Sequence, residues 1–232
     1  MKIEIWSDFV CPFCYIGKRR LEQAIQRFPE EIDVNIQFKS FQLDPNAPQY
    51  SGENIHEQLA KKYNMSVERA KQMNQQLGEQ AKSVGLEFVF DTMKPTNTFN
   101  THRLAKFAKS EGKEAQFVSE MLHQYFTLSA DISDRDTLLT ICEDLQLDAE
   151  KARQVLENTD LFAEEVRQDQ EEAQNLGITG VPFFVFNGKY AISGAQPIET
   201  FMNALDKIAE EPQPLQDLSD NKGSYCDGEN CH

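Results

Sequence analysis

The sequence predicts an α/β fold in which both ends of the chain build one small sheet and a long helical segment is inserted between them. Three observations predict it. A strand–helix–strand pattern occupies residues 2–39, two strands and a helix close the chain from residue 183 to 209, and residues 46–177 carry almost only helical periodicity. Helices cannot complete a sheet, so the inserted segment is expected to form a lobe of its own.

At the start, Ile3 and Ile5 alternate with Lys2 and Glu4, a short strand over residues 2–6. After Asp8 the chain turns into a helix with Leu21, Ala24, Ile25 and Phe28 on one face. Val34, Ile36 and Phe38 then alternate with Asn35, Gln37 and Lys39, a second strand, expected parallel to the first with a right-handed crossover. In the inserted segment, Ile55, Leu59 and Tyr63 recur every four residues, and Met73, Leu77 and Ala81 follow in a helix that Ser66 can cap. Phe88 and Phe90 alternate with Val89 and Asp91, so that piece is extended. Helices resume near Thr98. Phe117, Met121, Leu122 and Tyr125 share one face; Leu138, Ile141, Cys142 and Leu145 share another, after a cap at Asp134. Asp148 and Asp160 read as caps of two more helices. Phe183 to Phe186 and Tyr190 to Ser193 are strands joined by Asn187-Gly188, a favoured hairpin dipeptide. Pro197 is expected as the first residue of a final helix running to Ala209. The division that follows is a sheet domain of residues 1–45 and 178–212, an inserted helical domain of 46–177, and an irregular acidic tail of 213–232.

Charge and composition exclude several functions. Twenty-three Lys and Arg against 38 Asp and Glu leave the 232-residue chain at −15, which repels phosphate backbones and argues against nucleic acid. No run approaches the ~20 apolar residues of a membrane span. The opening MKIEIWSDF carries Glu4 and Asp8, unlike a secretory signal, so a cytoplasmic location is expected. Five cysteines are too sparse for a disulfide-stapled scaffold.

Cys11-Pro12-Phe13-Cys14 stands where the first strand gives way to the helix. There, unpaired backbone N–H groups and the helix dipole favour an anion, and the thiolate is the reactive form of cysteine. One helical turn separates the two sulfurs, so a disulfide can close without moving the backbone far. Pro12 suits the first turn because its missing N–H needs no partner. Cys11 is therefore expected as the attacking nucleophile, exposed at the helix tip, and Cys14 as the more buried resolving thiol. A zinc ribbon would need a second such pair or two histidines, which the body of the chain lacks. Thr179-Gly180-Val181-Pro182 precedes the third strand. Proline is tolerated at a strand's first residue. A cis Val181-Pro182 bond would also present the Val181 N–H and C=O to an extended peptide beside Cys11.

These features together resemble the DsbA-like branch of the thioredoxin superfamily. SDFVCPFCYIG, NTFNTHRL and GITGVPFFVFNGKYAISGAQP are similar, more closely, to the FrnE-like subfamily. The resemblance implies a thioredoxin-like fold with a large helical insertion, Cys11 as nucleophile, Cys14 as resolving thiol, Pro182 as cis-proline, and thiol–disulfide oxidoreductase or isomerase activity. The sequence departs from the periplasmic DsbA enzymes in having Pro12-Phe13, without histidine, between the cysteines; Phe13 supplies no cationic partner, so a less oxidising couple is expected. Related kappa-class glutathione transferases and hydroxychromene carboxylate isomerases have Ser at the nucleophile position, where this chain keeps a thiol.

Other residues are secondary. Asp8 reads equally as a functional carboxylate, which relays a proton to a thiol or raises that thiol's pKa by its charge, and as a carboxylate stabilising the helix N-terminus. Asn97, Asn100, His102 and Arg103 either line the cleft facing Cys11 or serve capping and surface solvation, and the second reading is preferred. His56 and His123 lack ligand partners at i+4 and are assigned to surface or core packing, and Cys142, in an apolar stripe, to an inert core thiol. Near the C-terminus, Cys226 and Cys231 resemble the second, C-terminal CxxxxC of some FrnE-like relatives. They read first as an auxiliary redox pair, then as zinc ligands with His232, then as an unengaged tail; Asp227 and Glu229 make them poor first attackers. The expected activity is thiol–disulfide exchange on protein substrates, with no cofactor required and with glutathione or a thioredoxin-type protein as redox partner. The alternatives are glutathione-dependent transfer or isomerisation of a small molecule, and a holdase without redox turnover.

Overall fold

The computed structural model describes residues 1–29, 33–50 and 52–210. Strand β1 (Lys2–Ser7), helix α1 (Pro12–Arg27) and strand β2 (Asn35–Ser40) form the opening unit. Seven helices follow: α2 (Ile55–Lys62), α3 (Val67–Lys82), α4 (Phe99–Ser110), α5 (Glu114–Phe126), α6 (Arg135–Asp144), α7 (Ala149–Glu157) and α8 (Ala163–Asn175). The chain then returns through β3 (Phe183–Phe186), β4 (Tyr190–Ser193) and α9 (Ile198–Ala209). The sheet has the order β2-β1-β3-β4, with β1 parallel to β2 and antiparallel to β3. No helix among the described residues is long and apolar enough to cross a membrane.

Both faces of β1 are buried, because the sheet is covered on two sides. Ile3 and Ile5 pair with Phe186 and Phe184, and this face packs on Leu21 and Ala24 of α1 and Phe201, Leu205 and Ile208 of α9. The Phe184 and Phe201 rings meet edge-to-face at 4.9 Å. On the opposite face Trp6, Phe183 and Val185 cluster with Ala173 and Ile178. The β3–β4 hairpin turns at Asn187 (φ 50) and Gly188 (φ 66), the two left-handed positions that a tight hairpin turn requires.

The inserted helices are tied to the outer edge of β2 by side chains that satisfy its backbone. Lys106 of α4 donates to the Phe38 carbonyl at 3.1 Å. Glu114 of α5 accepts the Phe38 N–H at 3.2 Å, and Asp169 of α8 accepts the Ser40 N–H at 2.7 Å. Lys106 and Asp169 are themselves ion-paired, both side chains no more than 10% exposed, and Lys39 adds a second cation 3.4 Å from Asp169. The Asp169 carbonyl accepts the Trp6 indole N–H at 3.0 Å. An open edge strand is thereby covered and charged, which blocks pairing with another chain.

Several sequence expectations are corrected. Helix α8 starts at Ala163 after Phe162, whose φ is 60, and Asp160 does not cap it. The Asn158 side chain takes the Asp160 N–H, while the Phe162 ring packs 6.1 Å from Phe107. Pro197 flanks α9, which begins at Ile198. Residues 86–90, expected to be extended, lie outside any helix, and the Val89 N–H reaches the Phe126 carbonyl at 2.8 Å. Tyr63 and Met73 are exposed; α2 and α3 bury His56, Ala60, Ala70, Asn74 and Ala81. The His56 ring sits between Asn74 (2.9 Å) and Asp91 (3.0 Å), so both nitrogens have partners, one from α3 and one from the segment after it. The caps at Ser66, Asp134 and Asp148 accept backbone N–H groups as expected.

Replacing Lys106 with Met leaves the Asp169 carboxylate buried with only Lys39 near it. The expected loss is about 3 kcal/mol of unfolding free energy by urea denaturation, partly recovered when Asp169→Asn is added. Burial raises the Glu114 carboxyl above its usual value, against the opposing effect of Lys109. With the folded value above the unfolded one, the folded state holds the proton more tightly, and this group's contribution falls as pH rises through the folded value. Glu114→Gln should therefore shift the urea midpoint upward at neutral and alkaline pH, with the gain vanishing in acid.

Candidate functional site

Cys11 occupies the N-cap of α1, with Pro12 as the first helical residue and no acidic side chain in the first turn. Its thiol faces the carbonyl of Val181 at a sulfur–oxygen distance of 3.6 Å. The Val181–Pro182 peptide is cis. Cys11 is 4% exposed, which corrects the expectation of an exposed sulfur: the loop before β3 lies against it. Phe13, between the two cysteines, is 45% exposed instead.

Cys14 is buried beneath Cys11. Both are thiols here. Burial first, then the hydrogen bond and charge of Cys11, push the Cys14 thiol well above its ordinary range, while the Asp8 backbone amide and the Ser7 hydroxyl act in the opposite direction. Asp8 is almost fully buried and touches both cysteines through its main chain, since its carbonyl also accepts the Cys11 N–H at 3.2 Å. The Asp8 carboxylate accepts the Leu43 N–H at 2.8 Å and meets His102 Nε2 at 3.3 Å.

The stretch after Asn97 is not a solvated surface, contrary to the preferred sequence reading. His102 is buried against Phe9, with ring centroids 4.8 Å apart. Arg103 is fully buried and donates to the carbonyls of Leu161, Val155 and Asn158 and to the Asn100 side chain. It completes the open carbonyls at the end of α7, where a cation is favoured. Asn97 does cap locally, accepting the Phe99 N–H at 2.9 Å, and its amide also donates to Ala47. Cys142 is fully buried and its thiol is pushed up to about 12, chiefly by burial, which fits an inert core thiol. Cys226 and Cys231 lie outside the described residues. Among those described, no cluster of three or more His, Cys, Asp or Glu could hold a metal ion.

The model of the DSBA-like thioredoxin domain matches residues 2–206. The chain belongs to this family. A probable DsbA oxidoreductase from Streptomyces coelicolor is 36% identical and superposes with a TM-score of 0.88, covering 100% of this chain and 98% of the other. The uncharacterised protein YwbO of Bacillus subtilis is 29% identical over 208 residues, 88% of this chain and 94% of its own. A 2-hydroxychromene-2-carboxylate isomerase shares the fold at 17% identity and a TM-score of 0.66, over 90% of this chain and 96% of its own.

Within this DsbA-like frame, Gly17 sets how closely α1 approaches the loop before β3. A Cβ at Gly17 would lie 3.0 Å from Pro182 Cγ, 3.1 Å from Phe184 Cζ and 3.5 Å from Ala195 Cα. Ring atoms of a proline cannot swing aside. Elsewhere, a cavity of about 480 Å³ in the helical lobe is lined by Tyr50, Asn100, Asp131, Ser133 and Arg135 among others, and by neither cysteine. Helix propensity alone would make Gly17→Ala stabilising by up to about 1 kcal/mol. The close approach reverses the sign: a loss of about 1–3 kcal/mol is expected in chemical denaturation, as for an overpacked core.

Proposed function

We propose that the protein is a thiol–disulfide oxidoreductase acting on protein substrates, with Cys11 as the attacking thiolate and Cys14 as the resolving thiol. The observation that carries this reading is the pairing of two unlike thiols: Cys11 at a helix N-terminus beside the Val181 carbonyl, and Cys14 buried and hydrogen-bonded beneath it. In the reducing direction the Cys11 thiolate attacks a substrate disulfide, forming a mixed disulfide and releasing one substrate thiolate. Cys14 then loses its proton and attacks the Cys11 sulfur, the second substrate thiolate leaves, and two electrons have passed to the substrate. The oxidising direction is the reverse. Val181 and Pro182 would hold an extended segment of substrate by its backbone, a sequence-tolerant mode of binding, with Phe13 contributing an apolar contact.

The exchange needs no metal or dissociable cofactor; glutathione or a thioredoxin-type protein would restore the dithiol. Glutathione-dependent isomerisation of a small molecule is the less supported reading, since that chemistry has no use for a second thiol under the first. Membership in the FrnE-like subfamily and an auxiliary role for Cys226 and Cys231 fit the same proposal. Cys11→Ser should reduce insulin reduction and refolding of scrambled protein to the uncatalysed rate. Cys14→Ser should accumulate a substrate-linked mixed disulfide visible by mass spectrometry. Full turnover in the Cys11→Ser protein would sink the proposal.

A further inference from the structure

His102 belongs to the inserted helix α4 rather than to the strand–helix–strand unit that carries the cysteines. It nevertheless reaches the redox pair through one residue. The Asp8 carbonyl accepts the Cys11 N–H at 3.2 Å, its backbone amide favours the ionised form of Cys14, and its carboxylate is held on one oxygen by the Leu43 amide and on the other by His102. We propose that His102 is a positioning residue of the redox centre, which through Asp8 fixes the backbone amide that stabilises the Cys14 thiolate during resolution. This rests on the reading of Cys11 and Cys14 as the exchanging pair.

The geometry restricts the alternatives. Asp8 is 1% exposed and His102 is 3% exposed, so a carboxylate deprived of its partner would not be rescued by water. A carboxylate oxygen accepts and an imidazole N–H donates, so His102 Nε2 is placed to donate to Asp8 Oδ1. The other groups around Asp8 cannot replace it. Tyr125 of α5 is fully buried and makes no hydrogen bond to Asp8, whose carboxylate oxygens are held by Leu43 and His102. Lys106, one turn along α4 from His102, is committed to Asp169 and the Phe38 carbonyl. Lys39 of β2 is committed to Glu172 and Asp169. Ser7 of β1 already faces Cys14.

During resolution the Cys14 S–H gives its proton to a solvent base. The thiolate attacks the Cys11 sulfur, the bond from Cys11 to the substrate sulfur breaks, and the leaving thiolate takes up a proton. The transient negative charge on Cys14 is met by the Ser7 hydroxyl and the Asp8 N–H. Losing His102 would loosen that amide and leave the Asp8 charge uncompensated near the sulfur. Both effects disfavour the Cys14 thiolate, so their signs agree.

The test follows resolution itself. Reduced full-length protein is mixed with oxidised glutathione, and conversion of the glutathionylated intermediate to the internal disulfide is timed by quenching and mass spectrometry across pH. His102→Leu should resolve about tenfold more slowly at neutral pH, its profile displaced by about one unit to the alkaline side. His102→Gln, which keeps an N–H donor, should stay within about twofold of the unmodified protein by the same relation. If His102→Leu does not fold, His102→Asn, too short to reach Asp8, replaces it with the same expected displacement. An unchanged pH profile in the folded donor-less variant overturns the inference, as does equal loss in that variant and in His102→Gln. If the unmodified protein itself forms no glutathione adduct, the exchange reading fails, a result separate from any effect of His102.

Discussion

The outer edge of β2 is the constraint on which the rest of the molecule depends. A parallel strand at the end of a sheet exposes a row of N–H and C=O groups that must find partners once helices cover it. Here the partners are side chains from three different helices of the insertion: Lys106, Glu114 and Asp169. Each is charged, each meets backbone, and two of them pair with one another. Charged hydrogen bonds of this kind contribute about 1.5–3 kcal/mol when satisfied and cost more when one member is missing, so the edge holds the helices in a defined register. Apolar packing alone would tolerate sliding; a carboxylate that must meet one particular N–H does not.

That register carries over to the chemistry. Lys106 and His102 lie one turn apart on α4, so the helix that completes the β2 edge also presents an imidazole to Asp8. The two cysteines are thus held from two sides. Asp8, anchored by the insertion, fixes the backbone beneath the cysteines, while Gly17 lets α1 lie against Pro182 so that the Val181 carbonyl stays on the Cys11 sulfur.

The sheet elements were legible because their signals are local. The alternation around Ile3 and Ile5, the Asn187-Gly188 turn, and the caps at Ser66, Asp134 and Asp148 each depend on a few adjacent residues. The cysteine pair was legible because its signal lies in a four-residue motif, with the cysteines three residues apart. What escaped was polar burial. Asp169, Lys106 and His102 look like ordinary members of solvated helix faces, and only tertiary packing turns them into a hub, an edge cap and an anchor. His56 and Asn74 misled the reading of α2 and α3 in the same way: apolar periodicity selected Tyr63 and Met73, whereas the buried stripe runs through a satisfied polar pair. The Phe162 start of α8 escaped because a ring contact with Phe107 outweighed a good capping residue two positions earlier. Of the polar residues that escaped, Lys106 and Asp169 tie the lobe to the edge of β2.

The two thiols, three residues apart in a symmetric-looking motif, are made unequal by their surroundings. Cys11 sits where a helix leaves its first N–H groups unpaired, with the Val181 carbonyl across from it. Cys14 is enclosed, and its thiol is held protonated by burial and by the neighbouring sulfur. A buried thiol that is reluctant to ionise is a poor first attacker and a good second one, since it becomes competent only when Cys11 is tied into a mixed disulfide and no longer opposes it with charge. On this reading the sequence of attack is imposed by desolvation rather than by any difference between the residues. Burial first and the sulfur above second hold Cys14 protonated, with the Asp8 amide and the Ser7 hydroxyl opposing them.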